Sequence, residues 1–323
     1  MPLSLKFIFP LWRDNMQAVI LAAGDGGRLA PITFFQPKPL VKIQGKPMLD
    51  YTVEALEKAG IKDIIIVIGY RAWQISDYIS REATYKAKVL LVYNPHYEKG
   101  NALSLLSCHR YIYGSSFILA MADHLLSPDL VQKALQQVHS KGNFLAVDYK
   151  PEPRIIEEAT KVLVDEGKSI KAIGKNLERF NAVDTGFFIL THEIFTAIRK
   201  IVAEKGDCEL SDALNYLINS GSGLKACDVS GCFWKDVDTF EDLSWAEIKL
   251  SKECENARRV YIPIFKPETF KAAGSPPRSY TPYPKLHKFF KLYYRYYSRS
   301  GLPEKPGHLG RNFGSNNLNN GRS

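Results

Sequence analysis

From residue 17, short unbroken apolar runs alternate with longer stretches in which apolar residues recur every three or four positions. AVILAA (18–23), DIIIVIG (63–69), KVLLVYN (88–94) and SFILAMAD (116–123) are continuous and rich in β-branched residues, as strands buried on both faces are. Between them, residues 47–60, 71–83 and 101–114 have helical spacing, and the first and last of these end at glycine. Repeated strand–helix–strand units predict a mostly parallel sheet with helices on both faces. After residue 143 the rhythm changes. Residues 143–149, 161–167, 169–175 and 182–190 predict strands with short connections, followed by helices at about 191–205, 209–220 and 239–257. From 262 onward Pro, Gly, Ser and Asn accumulate around KLHKFFKLYYRYYSR (285–299), which predicts a largely flexible tail. The expected organisation is an extension over 1–15, one α/β domain over 16–257, and a basic aromatic tail over 258–323.

Charge sharpens that division. The 323 residues carry a net charge of +9, yet residues 256–323 alone hold 13 Lys and Arg against two acids. The remainder holds 30 cations against 32 acids, so the basicity belongs to the tail. No apolar run approaches the roughly 20 residues of a membrane-spanning helix. The first 15 residues lack the apolar core and cleavage site of a signal peptide. Five cysteines without a CxxC pair suit a reduced, cytoplasmic protein.

Candidate chemistry concentrates in MQAVILAAGDGGRLAPITFFQPKPL (16–40). A strand followed by a glycine-rich loop and then a helix lets backbone N–H groups converge on phosphate. The dinucleotide pattern GxGxxG fails because position 29 is Leu, and GxxxxGK[ST] fails as well. Arg28 offers a planar fork for phosphate oxygens, and Lys38 a compact charge on a segment stiffened by Pro37 and Pro39. Lys42 and Lys46 suit a solvated surface better. Asp123 stands at the carboxyl end of a strand, where open parallel sheets bind ligands, and is a candidate for a hard divalent cation such as Mg²⁺. No spacing of His, Ser or Cys pairs a nucleophile with a base, so direct in-line attack is expected.

Gly24-Asp25-Gly26-Gly27-Arg28-Leu29, Pro31, Thr33 and PKPL (37–40) resemble the nucleotidyltransferases that join an NTP to a sugar or alcohol phosphate with release of pyrophosphate. Gly27 departs from the Thr or Ser usual there, removing one hydroxyl from the phosphate cradle. The resemblance implies a Rossmann-like three-layer α/β/α fold with a mostly parallel mixed sheet. It also implies a nucleotide site at Ala22, Ala23, Gly24, Gly26, Gly27, Arg28, Lys38, Asn94, Gly100 and Asn101. NPHYEKGNALSLL (94–106), FILAMADHLLSP (117–128), IGKNLERFNAVDTGFFIL (173–190) and FWKDVDTFEDL (233–243) narrow it to the branch acting on CTP and inositol 1-phosphate. Members of that branch occur alone or fused to a membrane-bound CDP-alcohol phosphotransferase. The branch implies Mg²⁺ on Asp123 and Asp238, with Asp236 the alternative, and an acceptor site at His124, Lys175, Asp184, Thr185 and Gly186. Plainer roles compete: a helix cap for Asp238, a turn for Asp184, a structural imidazole for His124. Phosphocholine, aminoethylphosphonate and sugar 1-phosphates are alternative acceptors, with Phe180, Phe187 and Trp234 as candidate walls for a choline group. A nucleotide sensor without catalysis is the alternative of another class. The tail suggests docking to a membrane surface or to a membrane-bound phosphotransferase; no nucleic-acid partner is expected.

Overall fold

The computed structural model of the chain describes residues 16–251. The expected extension, the basic tail with its aromatic segment, and the end of the last expected helix lie outside the described residues.

In chain order the elements are β1 (Ala18–Ala22), the hairpin of β2 (Lys42–Ile43) and β3 (Lys46–Pro47), α1 (Met48–Lys58), β4 (Asp63–Ile68), α2 (Ala72–Arg81), β5 (Lys88–Tyr93), α3 (Asn101–Ser107) and β6 (Ser116–Met121). There follow β7 (His124–Leu126), α4 (Pro128–Gln137), β8 (Phe144–Asp148), α5 (Pro153–Ile156), β9 (Lys161–Val164), β10 (Ile170–Gly174) and β11 (Ala182–Thr191). The chain continues through α6 (Glu193–Lys205), α7 (Leu210–Asn219), β12 (Lys225–Asp228), β13 (Trp234–Asp236) and α8 (Phe240–Leu250). Nine strands form one sheet in the order β10-β9-β11-β6-β1-β4-β5, with β8 paired to β11 and β12 to β8. Pairs β1–β4, β1–β6, β4–β5 and β8–β12 are parallel, whereas β11 runs antiparallel to β6, β8 and β9, which makes the sheet mixed.

Every residue of β1 is buried. Val19 and Leu21 face a core shared with α3, α6 and α7, and Ala18 and Ile20 face one shared with α1, α2 and α4. That two-sided burial is why the strand reads as an unbroken apolar run. A third, smaller core of Leu29, Val41, Ile43, Leu125, Val237 and Leu243 lies beneath the glycine-rich loop. Among the described residues no helix is long and apolar enough to cross a membrane.

Two local expectations need correction, and one strand pair was not foreseen. No α-helix follows the glycine-rich loop. Instead three single 3₁₀ turns occupy Gly27–Leu29, Ile32–Phe34 and Lys38–Leu40, because Pro31, Pro37 and Pro39 lack the N–H groups a longer ladder needs. The helix expected over 101–114 ends at Ser107. There the Ser107 hydroxyl and Cys108 thiol donate to the carbonyls of Ser104 and Leu105, side-chain bonds that compete with the helical ladder. The two-stranded pair β7–β13 has no signature in the periodicity, being three residues long on each side.

β11 slips register against β8 between Asp184 and Phe188, and Gly186 within the slip has φ of 76°. A β-carbon there would lie 2.3 Å from the His124 ring. Gly186→Ala should therefore cost about 2 kcal/mol or more from backbone strain and overpacking, seen as a lowered denaturant midpoint. Gly174→Ala, where an added β-carbon meets nothing within 4 Å, should stay within about 0.5 kcal/mol of wild type.

Candidate functional site

β1 and β6 are parallel neighbours, so the segments leaving their carboxyl ends emerge side by side. One is the loop carrying Arg28 and Lys38; the other carries Asp123 and His124. The register of β13 against β7 places Asp236 opposite His124, and the Val237 N–H donates to the Asp123 carbonyl. Asp238 follows two residues later, just before the α8 cap. There Thr239 and Asp242 cap each other, and the Asp242 carboxylate also accepts the Asp238 N–H at 3.1 Å and the Lys235 ammonium at 2.5 Å.

Lys38 is the centre of the cluster. It is only 5% exposed. Its ammonium donates to Asp123 Oδ2 at 2.8 Å and to Asp238 Oδ1 at 2.5 Å, and lies 3.9 Å from Asp236 Oδ1. The Arg28 guanidinium pairs with the other oxygen of Asp238. Gly26 makes this approach possible: it holds φ of 65°, and a β-carbon there would lie 2.6 Å from Lys38 Cβ. The Thr33 hydroxyl donates to the Gly26 carbonyl at 3.1 Å and closes the loop.

Burial alone would lower the Lys38 ammonium, but Asp123, Asp236 and Asp238 outweigh it and raise it above the ordinary lysine value. Burial also pushes Asp123 and Asp238 upward, yet Lys38 holds both below the ordinary carboxylate range, helped by His124 at Asp123 and Arg28 at Asp238. Asp236 is raised, chiefly by burial. His124 donates from Nδ1 to Asp123 Oδ1 at 2.9 Å. Burial opposes its charge, but Asp236, Asp123 and Asp184 push it up to about 9. Its ring is sandwiched between Gly186 and Trp234, whose indole N–H donates to the buried Asp148 at 3.0 Å.

The cluster fits a hard divalent cation. The Asp123 and Asp236 carboxylates offer oxygens within 4.8 Å of each other, and the charged His124 ring lies within the same span. Asp236 Oδ1 is buried without a hydrogen-bond partner, which is costly unless a cation supplies one. Asp238 is engaged by Lys38 and Arg28 instead.

Asp123, His124, Asp236 and Asp238 open on a cavity of about 450 Å³ that Arg28, Asn101, Lys175, Asp184 and Gly186 also line. Other expected contacts are placed differently. Thr185 is fully buried and its hydroxyl donates to the Ala146 carbonyl at 2.8 Å, so it braces the sheet rather than the cavity. Asn94 is buried, donating to Ser104 Oγ and accepting the His96 N–H, and so shapes the turn toward Gly100. Asn101 accepts the Leu210 N–H at 2.7 Å and ties α3 to α7. Ala22 and Ala23 are buried at the end of β1, and Gly24 is exposed beside them. The Gly27 N–H donates to Asp25 Oδ1 at 3.2 Å. Lys46 pairs with Glu54 and covers the Tyr51 ring, a structural role. The sequence reading missed the Asp148–Trp234 support and the hub at Asp242; the Thr-x-x-Asp spacing at 239–242 was the available signal for the latter.

The description "Nucleotidyl transferase" belongs to the family profile that matches residues 17–253. A bifunctional IPC transferase and DIPP synthase of Aquifex aeolicus is 36% identical over 235 residues, covering 73% of this chain and 52% of its own. The protein of the same description from Thermococcus kodakarensis is 37% identical over 232 residues, covering 71% and 49%. The chain thus spans about half the length of these relatives. Among solved structures, the inositol-1-phosphate CTP transferase from T. maritima superposes with a TM-score of 0.65 at 24% identity, covering 74% of this chain and 98% of its own, a likeness of fold.

Burial raises the Asp184 carboxyl to about 6, against the opposing Gly186 N–H and His124. A carboxyl raised on folding stabilises most below its unfolded value near 4, and that contribution fades as pH climbs through about 6. Asp184→Asn should therefore be more stable than wild type by roughly 1–2 kcal/mol at pH 7.5. The gain should vanish below about pH 4; urea denaturation with EDTA at the two pH values checks the sign.

Proposed function

This chain belongs to the nucleotidyl transferase family, and on that premise we propose that it transfers CMP from CTP to inositol 1-phosphate. A phosphate oxygen of the acceptor attacks the α-phosphorus of CTP, the bond from that phosphorus to the bridging oxygen breaks, and pyrophosphate leaves with the electron pair. The observation that carries this reading is the convergence of Lys38 and Arg28 from the loop after β1, Asp123 from the end of β6, and Asp236 and Asp238 from β13 and the segment after it, with Arg28 and the aspartates lining the cavity.

Such chemistry requires positioning and charge neutralisation rather than a covalent intermediate. Lys38, fixed by its 3₁₀ turn, presents its ammonium to the reacting phosphate, and Arg28 forks onto phosphate oxygens at the cavity rim. Asp123 and Asp236, with Asp238 beside them, would hold Mg²⁺, which when bound offsets phosphate charge. Imidazolium at His124 and the Lys175 ammonium can receive the acceptor phosphate. A nucleotide sensor has no need of this full set of opposed charges.

The relatives described as IPC transferases support the choice of acceptor. Phosphocholine is disfavoured because a quaternary ammonium seeks open aromatic faces. Phe180 and Phe187 do not line the cavity. Phe188 and Trp234 do, but both are buried, and Trp234 lies against His124. On the same reading the basic aromatic tail docks to a membrane surface or to a membrane-bound phosphotransferase.

Pyrophosphate release, with the four NTPs crossed against inositol 1-phosphate, phosphocholine, aminoethylphosphonate and glucose 1-phosphate, tests the assignment. Turnover is expected with CTP and inositol 1-phosphate; silence there with activity elsewhere replaces the substrate pair. Lys38→Ala and Asp123→Asn should each lower kcat by about 100-fold or more while thermal unfolding stays cooperative.

A further inference from the structure

We infer that Glu158 sets the acceptor class, its carboxylate working with that of Asp184 to accept hydrogen bonds from the hydroxyls of a neutral polyol phosphate; this rests on the transferase reading above. Both residues line the cavity. Glu158 lies in the segment joining α5 to β9, and that segment is tied to β11 where it matters: the Asp184 N–H donates to the Thr160 carbonyl at 2.9 Å. The two carboxylates are thus presented by segments bonded to each other.

Three cations at or beneath this cavity are already engaged by other carboxylates. Arg28 and Lys38 pair with Asp238, and Lys235 pairs with Asp242 at 2.5 Å. Lys175 stays on the wall, its backbone carbonyl accepting from Lys161. No ion pair reaches Glu158 or Asp184 among the described residues; Asp184 accepts only the Gly186 N–H at 2.7 Å. A wall of carboxylate oxygens held in no ion pair, beside a phosphate-binding end, suits a ligand that carries a phosphate and several hydroxyl donors. A ligand whose other end is apolar would leave those oxygens without partners, which strongly disfavours it.

The experiment compares wild type, Glu158→Gln and Glu158→Ala with CTP and Mg²⁺ against inositol 1-phosphate, glucose 1-phosphate and phosphoethanolamine. Glutamine keeps an acceptor oxygen for a hydroxyl but loses the charge an ammonium needs. Glu158→Ala should raise KM for inositol 1-phosphate by about tenfold or more, with KM for CTP and kcat changed little. Glu158→Gln should recover most of that loss. Unchanged acceptor KM in the alanine variant overturns the role of Glu158 and leaves the transferase reading standing. Turnover of phosphoethanolamine, lost equally in both variants, overturns the polyol assignment in favour of an ammonium. Wild type inactive with both polyol phosphates, yet active with another acceptor in the broader screen, overturns the underlying substrate reading instead. Glu158 is exposed, so all three proteins should fold alike, and equal melting temperatures check this.

Discussion

A single buried ammonium shared among carboxylates is the constraint around which the rest is arranged. Lys38 reaches Asp123 across 85 positions of sequence and Asp238 across 200. Without it the aspartates would repel one another in a poorly solvated place; without them a buried lysine would shed its proton. Mutual dependence of this kind locks loop, strand end and α8 cap into one geometry. The small apolar core under the loop supplies the walls that keep water from weakening it. On the proposed reading, phosphate and a divalent cation would exchange into this balance of charges at a site assembled in advance.

The sheet explains why these particular residues meet. Parallel β1 and β6 bring two loops to the same edge, as open α/β sheets do. The short β7–β13 pair then folds the Asp236–Asp238 stretch back over that edge. Antiparallel β11 closes the cavity from the far side, and its slipped register at Gly186 makes room for the His124 ring. Asp148, which does not line the cavity, holds the indole against which that ring packs.

The cavity has two characters. Its reacting end is built from rigid, mutually neutralised groups. Its other end, where the proposed acceptor would lie, draws Glu158 and Lys175 from segments around β9 and β10, and there neither Glu158 nor Asp184 is held in an ion pair among the described residues. On the proposed reading, changing such segments would alter which molecule is accepted while the charge cluster stays intact, a division of labour common where loops decorate a fixed scaffold.

The sequence alone determined the alternating α/β architecture, since strands buried on two faces and helices buried on one leave different periodicities. It also determined the chemistry of the loop, because Gly26, Arg28 and the prolines around Lys38 are legible as local backbone requirements. It could not show what depends on distant pairing: that Lys38 rests between Asp123 and Asp238, that Asp236 keeps an orphaned oxygen, or that Thr185 and Asn94 spend their polar groups on the scaffold. The helix expected after the glycines yielded to 3₁₀ turns under three prolines, and the pair β7–β13 was too short to carry a period. Periodicity reports which face is buried; only tertiary structure decides which charge lies opposite which, because Coulomb and hydrogen-bond partners are chosen across space rather than along the chain.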